Sequence, residues 1–94
     1  SPFLTLKKDF AFLLPKDKTV GELISVVKSV DPIIGNIRIF DIYEDKKLED
    51  EKLSVGLEVE IKQIEKVLNA KEINEYMTKI INKVEFKLGV SLRK

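Results

Sequence analysis

The first regular pattern in the chain is an alternation of apolar and polar side chains over residues 7–14. Phe10 and Phe12 fall on one parity, and Asp9 and Ala11 fall on the other. Successive side chains of a β-strand point to opposite faces, so this alternation predicts a strand with its phenylalanines in the core. Asp9 and Ala11 are therefore expected on the opposite face of the sheet.

Residues 53–61 show the clearest alternation in the sequence. Every second residue is aliphatic and the residues between are small or charged, which predicts a strand with one buried face. The other face is expected to be open to solvent or to a ligand. The expected core face consists of Leu53, Val55, Leu57, Val59 and Ile61, and the expected open face of Ser54, Gly56, Glu58, Glu60 and Lys62.

A further strand is predicted over residues 33–43, with a β-bulge at Gly35 and Asn36 near its start. Residues 37–43 are apolar on both parities, so periodicity does not assign their faces. Residues 44–51 are mostly charged and are expected to form a solvated loop.

The first helix is predicted after the strand at 7–14. Thr19 and Glu22 have the spacing of a capping box, in which each side chain accepts a hydrogen bond from the other residue's backbone N–H. The helix is expected to stop at Asp31 and Pro32, because a residue before proline avoids helical geometry. Its apolar stripe consists of Val20, Leu23, Ile24, Val27 and Val30.

The second helix is predicted to begin at Asn69, with Glu72 at the third helical position, and to end at a left-handed Gly89. Residues 90–93 leave room for one short final strand. The expected buried stripe of this helix consists of Ile73, Tyr76, Met77, Ile80, Ile81, Val84 and Leu88.

The predicted order of elements is βαββαβ, which is the order of the ferredoxin-like sandwich. In this α+β fold an antiparallel sheet is covered on one face by two helices. No internal repeat, linker or low-complexity segment divides the chain, so residues 1–94 are expected to form one domain.

Composition narrows the class of protein. The chain is 44% hydrophobic and 35% charged, as ordinary globular proteins are, and no apolar run approaches the roughly 20 residues that span a bilayer. The first residues lack the features of a signal peptide and there is no cysteine, so a cytoplasmic location is expected. A net charge of +1 means that any affinity for nucleic acid must come from local groups.

The sequence holds few groups that could perform catalysis. It contains no histidine or cysteine, which removes thiol nucleophiles, imidazole bases and the usual zinc or copper ligands. No glycine-rich phosphate-binding loop occurs, and the acidic residues of 44–51 have no enclosing apolar neighbours. We therefore expect no catalytic residue, no metal site and no cofactor in this chain.

Three other functions of ferredoxin-like folds are excluded because the residues they require are missing. An RNA-recognition motif has aromatic residues in the middle of its third strand, where this chain has none. An acylphosphatase needs an arginine in the loop after its first strand, but the only arginines are Arg38 and Arg93. A heavy-metal-transfer domain needs a pair of cysteines.

Four short motifs give the chain a specific resemblance. They are Lys-Asp-Phe-Ala-Phe at 8–12, Phe-Asp-Ile-Tyr at 40–43, Lys-Leu-Ser-Val-Gly-Leu at 52–57 and Leu-Arg at 92–93. In this order and spacing they resemble the ferredoxin-fold anticodon-binding domain of bacterial phenylalanyl-tRNA synthetase beta subunits. The resemblance covers essentially the whole chain.

The resemblance implies that the sheet face away from the helices receives the anticodon region of a tRNA. In that family the residues that match Asp41 and Tyr43 contact the first anticodon base, the tyrosine by stacking. The residues that match Ser54 and Ala11 line the same face. These four residues are the expected tRNA-binding residues of this chain.

Two consequences follow for neighbouring side chains. If Asp41 and Tyr43 point outward, Phe40 and Ile42 are expected to turn inward. The carboxylates of the third strand add negative charge to the open face, which would weaken phosphate contacts there and shift the RNA toward Tyr43.

The resemblance also implies a parent enzyme that joins phenylalanine to tRNA with ATP and magnesium, built from two alpha and two beta subunits. The alpha subunit of such enzymes has the catalytic site. This chain would then bind tRNA, with the rest of the beta subunit and the alpha subunit as its protein partners. The alternative, from the fold alone, is a ferredoxin-like regulatory or protein-interaction domain.

Overall fold

A computed structural model describes residues 5–44, 52–64 and 66–92 of the chain. Within these ranges the elements follow the order βαββαβ, which confirms the predicted ferredoxin-like α+β fold. The bounds are β1 Leu6–Leu14, α1 Val20–Lys28, β2 Ile34–Glu44, β3 Leu53–Ile61, α2 Ala70–Leu88 and β4 Ser91–Leu92. The loop predicted at 44–51 lies outside the described residues except for its first position, and so does Arg93 of the predicted last strand.

The described strands form one sheet in the order β2-β3-β1-β4, and all neighbouring strands are antiparallel. β3 is therefore a central strand, with β2 on one side and β1 on the other. In the register of β1 with β3, Phe10 lies opposite Leu57 and Ala11 lies opposite Gly56. Directly opposed residues share a face, so the phenylalanine row of β1 and the aliphatic row of β3 point the same way.

The hydrophobic core lies between one face of the sheet and both helices. Phe12 and Leu57 are completely buried, which confirms the predicted core faces of β1 and β3. From the helices, α1 contributes Leu23 and Val27 to this core, and α2 contributes its central apolar residues. The fully buried side chains of α2 are Ile80 and Val84, with Leu88 nearly so.

Both predicted capping boxes are present. The Thr19 hydroxyl accepts from the backbone N–H of Glu22 at 3.1 Å, and the Glu22 carboxylate accepts from the backbone N–H of Thr19 at 3.1 Å. Asn69 and Glu72 form the same reciprocal pair at the start of α2, at 2.8 and 3.1 Å. These bonds satisfy backbone donors that have no partner within the helix.

The helix ends differ in how well the sequence predicted them. Gly89 ends α2 in the left-handed conformation, with φ of 64°, as expected. The first helix ends at Lys28, earlier than its apolar stripe suggested, so Val30 packs on the core from beyond the helix. Ser29 caps α1, and its carbonyl accepts a hydrogen bond from Lys83 Nζ of α2 at 3.1 Å. Neither described helix is long and apolar enough to cross a membrane.

Candidate functional site

The sheet has a second face, on the side away from the helices, which we call the bare face. Its residues alternate with the core rows of β1 and β3, and within the described ranges no helix packs against it. The part of the bare face that concerns the site consists of Ala11, Arg38, Phe40, Asp41, Tyr43, Ser54, Gly56 and Glu58.

The structure brings all four sequence-predicted site residues together on the bare face. Gly56 lies opposite Ala11 on one side and opposite Asp41 on the other, and Ser54 lies opposite Tyr43. These pairs form two neighbouring rows across the sheet. Because Ser54 and Gly56 are two residues apart on β3, the rows are separated by roughly 7 Å.

A register shift in β2 places Asp41 and Tyr43 on this face. Ile39 lies opposite Leu57 and faces the core, whereas Asp41 lies opposite Gly56, the next residue of β3. Phe40 is therefore an extra residue of β2 with no partner of its own on β3, which is a β-bulge. Without this extra residue Asp41 and Tyr43 would share the parity of Ile39 and point into the core. The shift between Ile34 and Ile37 confirms the bulge expected near the start of the strand, but this second one was not predicted.

The bulge also overturns the expectation that Phe40 turns inward. A Cβ atom at Gly56 would lie 2.9 Å from Cε1 and Cζ of Phe40 and 3.3 Å from Cβ of Asp41. Gly56 projects to the bare face, so the Phe40 ring lies over it on that face, and the ring is 47% exposed. Ile42 does take the core side, opposite Val55, but it is 48% exposed at this edge of the sheet.

The open row predicted for β3 is partly wrong. Ser54 is only 2% exposed and Gly56 is also buried. β3 is flanked by strands on both sides, and its small residues are covered by larger neighbours: the Phe40 ring covers Gly56, and Tyr43 and Leu13 flank Ser54 in the register. Ser54 and Gly56 thus form the floor of the site.

The side chains above this floor differ in how far they reach solvent. Asp41 is exposed, and Tyr43 and Ala11 are half-buried. Together with the Phe40 ring they offer one carboxylate and two aromatic rings on a surface whose floor has small side chains. A ring and a hydrogen-bond acceptor are the groups that can stack on a nucleobase and bind its polar edge.

An ion pair lies next to this surface, one row further along β3. Arg38 is opposite Glu58, and its Nε and Nη2 atoms each lie 3.3 Å from a carboxylate oxygen of Glu58. Hydrogen bonding to this guanidinium holds the pKa of Glu58 below its usual range, with the charges of Arg38 and Lys7 acting in the same direction and desolvation opposing them. The Arg38 side chain is 63% exposed, so part of its cation remains open to solvent.

The described residues offer no metal site, and one cleft lies away from the bare face. Among the described residues, no group of three or more acidic side chains is placed to hold a metal ion. A cleft of about 270 Å³ lies on the other side of the molecule, where the segment between β3 and α2 meets the helix. Its lining includes Ile33, Leu68 and Tyr76.

Comparison with known proteins gives the family. Residues 1–93 match the family model described as ferredoxin-fold anticodon binding domain. The chain belongs to this family. The match confirms the resemblance inferred from the four short motifs, and it extends over the whole sheet that forms the bare face.

The curated relatives that the domain matches are phenylalanine–tRNA ligase beta subunits. It is 44% identical over 94 residues to the subunit of Ehrlichia canis (strain Jake), covering 99% of this chain and 12% of that protein. It is 34% identical to the subunit of Carboxydothermus hydrogenoformans over 94 residues, again covering 99% of the chain and 12% of the relative. The chain therefore spans about 12% of the length of these relatives.

Sequence reasoning missed two residues on the bare face of this anticodon-binding domain. Phe40 was placed in the core because simple alternation with an outward-facing Asp41 and Tyr43 would put it there. Arg38 was considered only in excluding an acylphosphatase, and its pairing with Glu58 depends on the register of β2 with β3. The available signal was the run of residues 37–43, apolar on both parities, which indicated a strand that does not alternate simply.

Proposed function

We propose that this domain is the anticodon-binding module of a phenylalanine–tRNA ligase beta subunit, and that its bare face holds the anticodon loop of tRNA(Phe). The observation that most supports the proposal is the grouping of Ala11, Asp41, Tyr43 and Ser54 in two neighbouring rows of the sheet. These residues lie far apart in the sequence and meet only in the folded sheet. Membership of an anticodon-binding family gives the grouping its functional meaning.

Each residue has a role that suits its position. The half-buried Tyr43 ring stacks on the first anticodon base, an interaction worth about 1–3 kcal/mol by alanine substitution. The exposed Asp41 carboxylate accepts hydrogen bonds from N–H groups on the polar edge of that base. Ser54 and Ala11 have small side chains, which leave room for the base to approach the sheet.

The charges of the domain favour a modest affinity for tRNA, which other parts of the synthetase would increase. The chain has a net charge of +1, so it attracts RNA weakly as a whole. Arg38 is an exposed cation one row from Asp41 and Gly56, and Glu58 offsets part of its charge. Tight binding of the tRNA would come from this face acting together with other parts of the synthetase.

In the parent enzyme, which we place in the cytoplasm with two alpha and two beta subunits, this domain performs no chemistry. The alpha subunit would bind ATP and magnesium and attach phenylalanine to the tRNA. Holding the anticodon loop fixes the position of the whole tRNA, including its distant acceptor end. Such positioning lowers the entropic cost of bringing the reacting groups together.

A direct test compares two RNA hairpins. One is the anticodon stem-loop of tRNA(Phe), and the other differs only in its first anticodon base. The proposal predicts that the chain binds the first hairpin more tightly at every salt concentration, because stacking and hydrogen bonding at that base do not depend on phosphate. Equal affinity for the two hairpins would contradict it.

The alternative of a regulatory or protein-interaction domain has less support. The family model that matches residues 1–93 is that of an anticodon-binding domain, which favours RNA binding over this alternative. A regulatory or protein-interaction domain would bind neither hairpin.

A further inference from the structure

Phe40 is a large aromatic residue that the hydrophobic core does not use. Its side chain is 47% exposed, and it is absent from the cluster of buried residues between the sheet and the helices. Phenylalanine is among the residues most often buried, so a half-exposed ring on a regular sheet calls for an explanation. The most exposed phenylalanine of the described residues, Phe86, lies on α2.

The Phe40 ring has a defined packing position on the sheet. It lies over Gly56, where any Cβ atom would come within 2.9 Å of two ring atoms. Phe40 follows Ile39, which faces the core, so alternation puts its ring on the bare face, and the bulge keeps Asp41 on that face as well. Gly56 leaves space for the ring because it has no side chain beneath it.

The spacing between the Phe40 and Tyr43 rings suits the stacking of successive bases of a single-stranded RNA. Tyr43 lies opposite Ser54, and Phe40 lies over Gly56, two residues further along β3. This spacing along the strand is roughly 7 Å. Sheets that bind single-stranded RNA use aromatic side chains on neighbouring positions to stack two or three bases in succession.

We infer that Phe40 stacks on the nucleotide adjacent to the one that stacks on Tyr43, so that the bare face holds two consecutive anticodon-loop nucleotides on two rings. The inference rests on the proposed function of this face. Asp41 shares the row of Phe40 and lies between the two rings in sequence, where it can accept from either base. The bulge thus places Asp41 and Tyr43 on the same face as Phe40, so that both rings are available to the RNA.

A fluorescence experiment tests this directly. Anticodon stem-loops would be made with a single 2-aminopurine at each anticodon position in turn, because stacking quenches the fluorescence of this base. Binding would be followed with the 94-residue chain at low salt, where electrostatic attraction is strongest. The variants are Phe40→Leu, which removes the ring, and Phe40→Tyr, which keeps it, with thermal unfolding of each as a check on folding.

The matched control is Phe86→Leu. Phe86 is 84% exposed on α2, on the opposite side of the sheet from the bare face. The same change of side chain there should leave RNA affinity within about twofold of the unaltered chain.

The inference predicts two adjacent quenched positions for the unaltered chain. Phe40→Leu should lose the quenching at one of them, keep it at the other, and bind about fivefold or more weakly. Phe40→Tyr should keep both signals. If the unaltered chain binds and Phe40→Leu retains both signals at similar affinity, the inference is overturned while the proposed function stands. If the unaltered chain binds none of the hairpins, both are overturned.

Discussion

Arg38 and Glu58 lie directly opposite each other on β2 and β3, and the guanidinium donates to both carboxylate oxygens over 3.3 Å. The pair stands one row from the expected base-binding residues, so it places a cation and an anion beside the RNA. The Glu58 carboxylate reduces the ability of Arg38 to bind a phosphate, because a guanidinium bound to a carboxylate is less available to a second anion.

Substitutions that remove the charge of one partner or the other should have opposite effects on RNA binding. Arg38→Gln should weaken binding of the anticodon stem-loop and lower the salt slope by about one unit, because one phosphate contact is lost. Glu58→Gln should strengthen binding, because it frees Arg38 and removes a negative charge. The measurement is affinity across a salt series, with Lys71→Gln on α2 as the control. Changes of the same sign in the two variants would exclude a phosphate contact by Arg38.

The ion pair also predicts a pH effect. The pKa of Glu58 lies below its usual range because of the Arg38 hydrogen bond, so the folded state binds this proton less readily than the unfolded state. The stabilisation is therefore present at neutral pH and is lost as the pH falls through the lowered pKa. NMR titration of the Glu58 side chain should show its pKa rise in the Arg38→Gln variant. An unchanged titration would mean that the pair does not persist in solution.

The packing of the Phe40 ring on Gly56 can be tested by comparing the same substitution, glycine to alanine, at two positions. Gly56→Ala would place a methyl group against the ring and push it off the sheet. The two closest atoms are the far end of the Phe40 side chain, but Asp41 Cβ at 3.3 Å is attached to the backbone, so the free energy of unfolding should fall by about 1–3 kcal/mol and RNA binding should weaken.

Gly21 provides the matched control for this change. It lies exposed in the first turn of α1, and its nearest neighbour to an added methyl group is Thr19 Oγ1 at 3.8 Å. Gly21→Ala should stabilise the fold by up to about 1 kcal/mol and leave RNA binding unchanged. Equal RNA affinity in the two alanine variants would show that the ring position does not matter for binding.

The core assignment predicts a large effect at Leu57. This side chain is completely buried on the core face of the central strand, so Leu57→Ala should lower the free energy of unfolding by about 2–5 kcal/mol. Phe86→Ala, at an exposed position of α2, should change it by less than about 0.5 kcal/mol. Chemical denaturation of both variants measures this. A loss below about 1 kcal/mol at Leu57 would contradict the assigned face.

Much of the fold could be predicted from the sequence because its signals are local. The alternation in β3 and the capping boxes at Thr19 and Asn69 involve residues a few positions apart, and the structure has all of them. The two helices and the aliphatic faces then require one sheet face to be covered. The order βαββαβ follows from these elements without any knowledge of the register.

The rest depended on contacts between strands. The shift between Ile39 and Asp41 decides the faces of the residues that follow, and the local pattern does not locate it because both parities are apolar there. The burial of Ser54 and Gly56 likewise depends on their neighbours across the sheet. Alternation within a strand assigns a face to a side chain, but it does not determine how much of that face adjacent strands cover.

The central claim is that Tyr43 stacks on an anticodon base, and two variants test it. Tyr43→Ala removes the ring, whereas Tyr43→Phe keeps the ring and removes only the hydroxyl. Tyr76→Ala provides the control, because Tyr76 is a half-buried tyrosine on α2, away from the bare face.

The decisive measurement is the affinity for the anticodon stem-loop together with the melting temperature of the same variants. Stacking predicts that Tyr43→Ala loses about 1–3 kcal/mol of binding with an unchanged salt slope, while Tyr43→Phe and Tyr76→Ala keep most of the affinity. Tyr43 lies outside the hydrophobic core, so the melting temperature of Tyr43→Ala should fall only slightly. A Tyr43→Ala protein with a clearly lowered melting temperature and unchanged RNA affinity would contradict anticodon stacking.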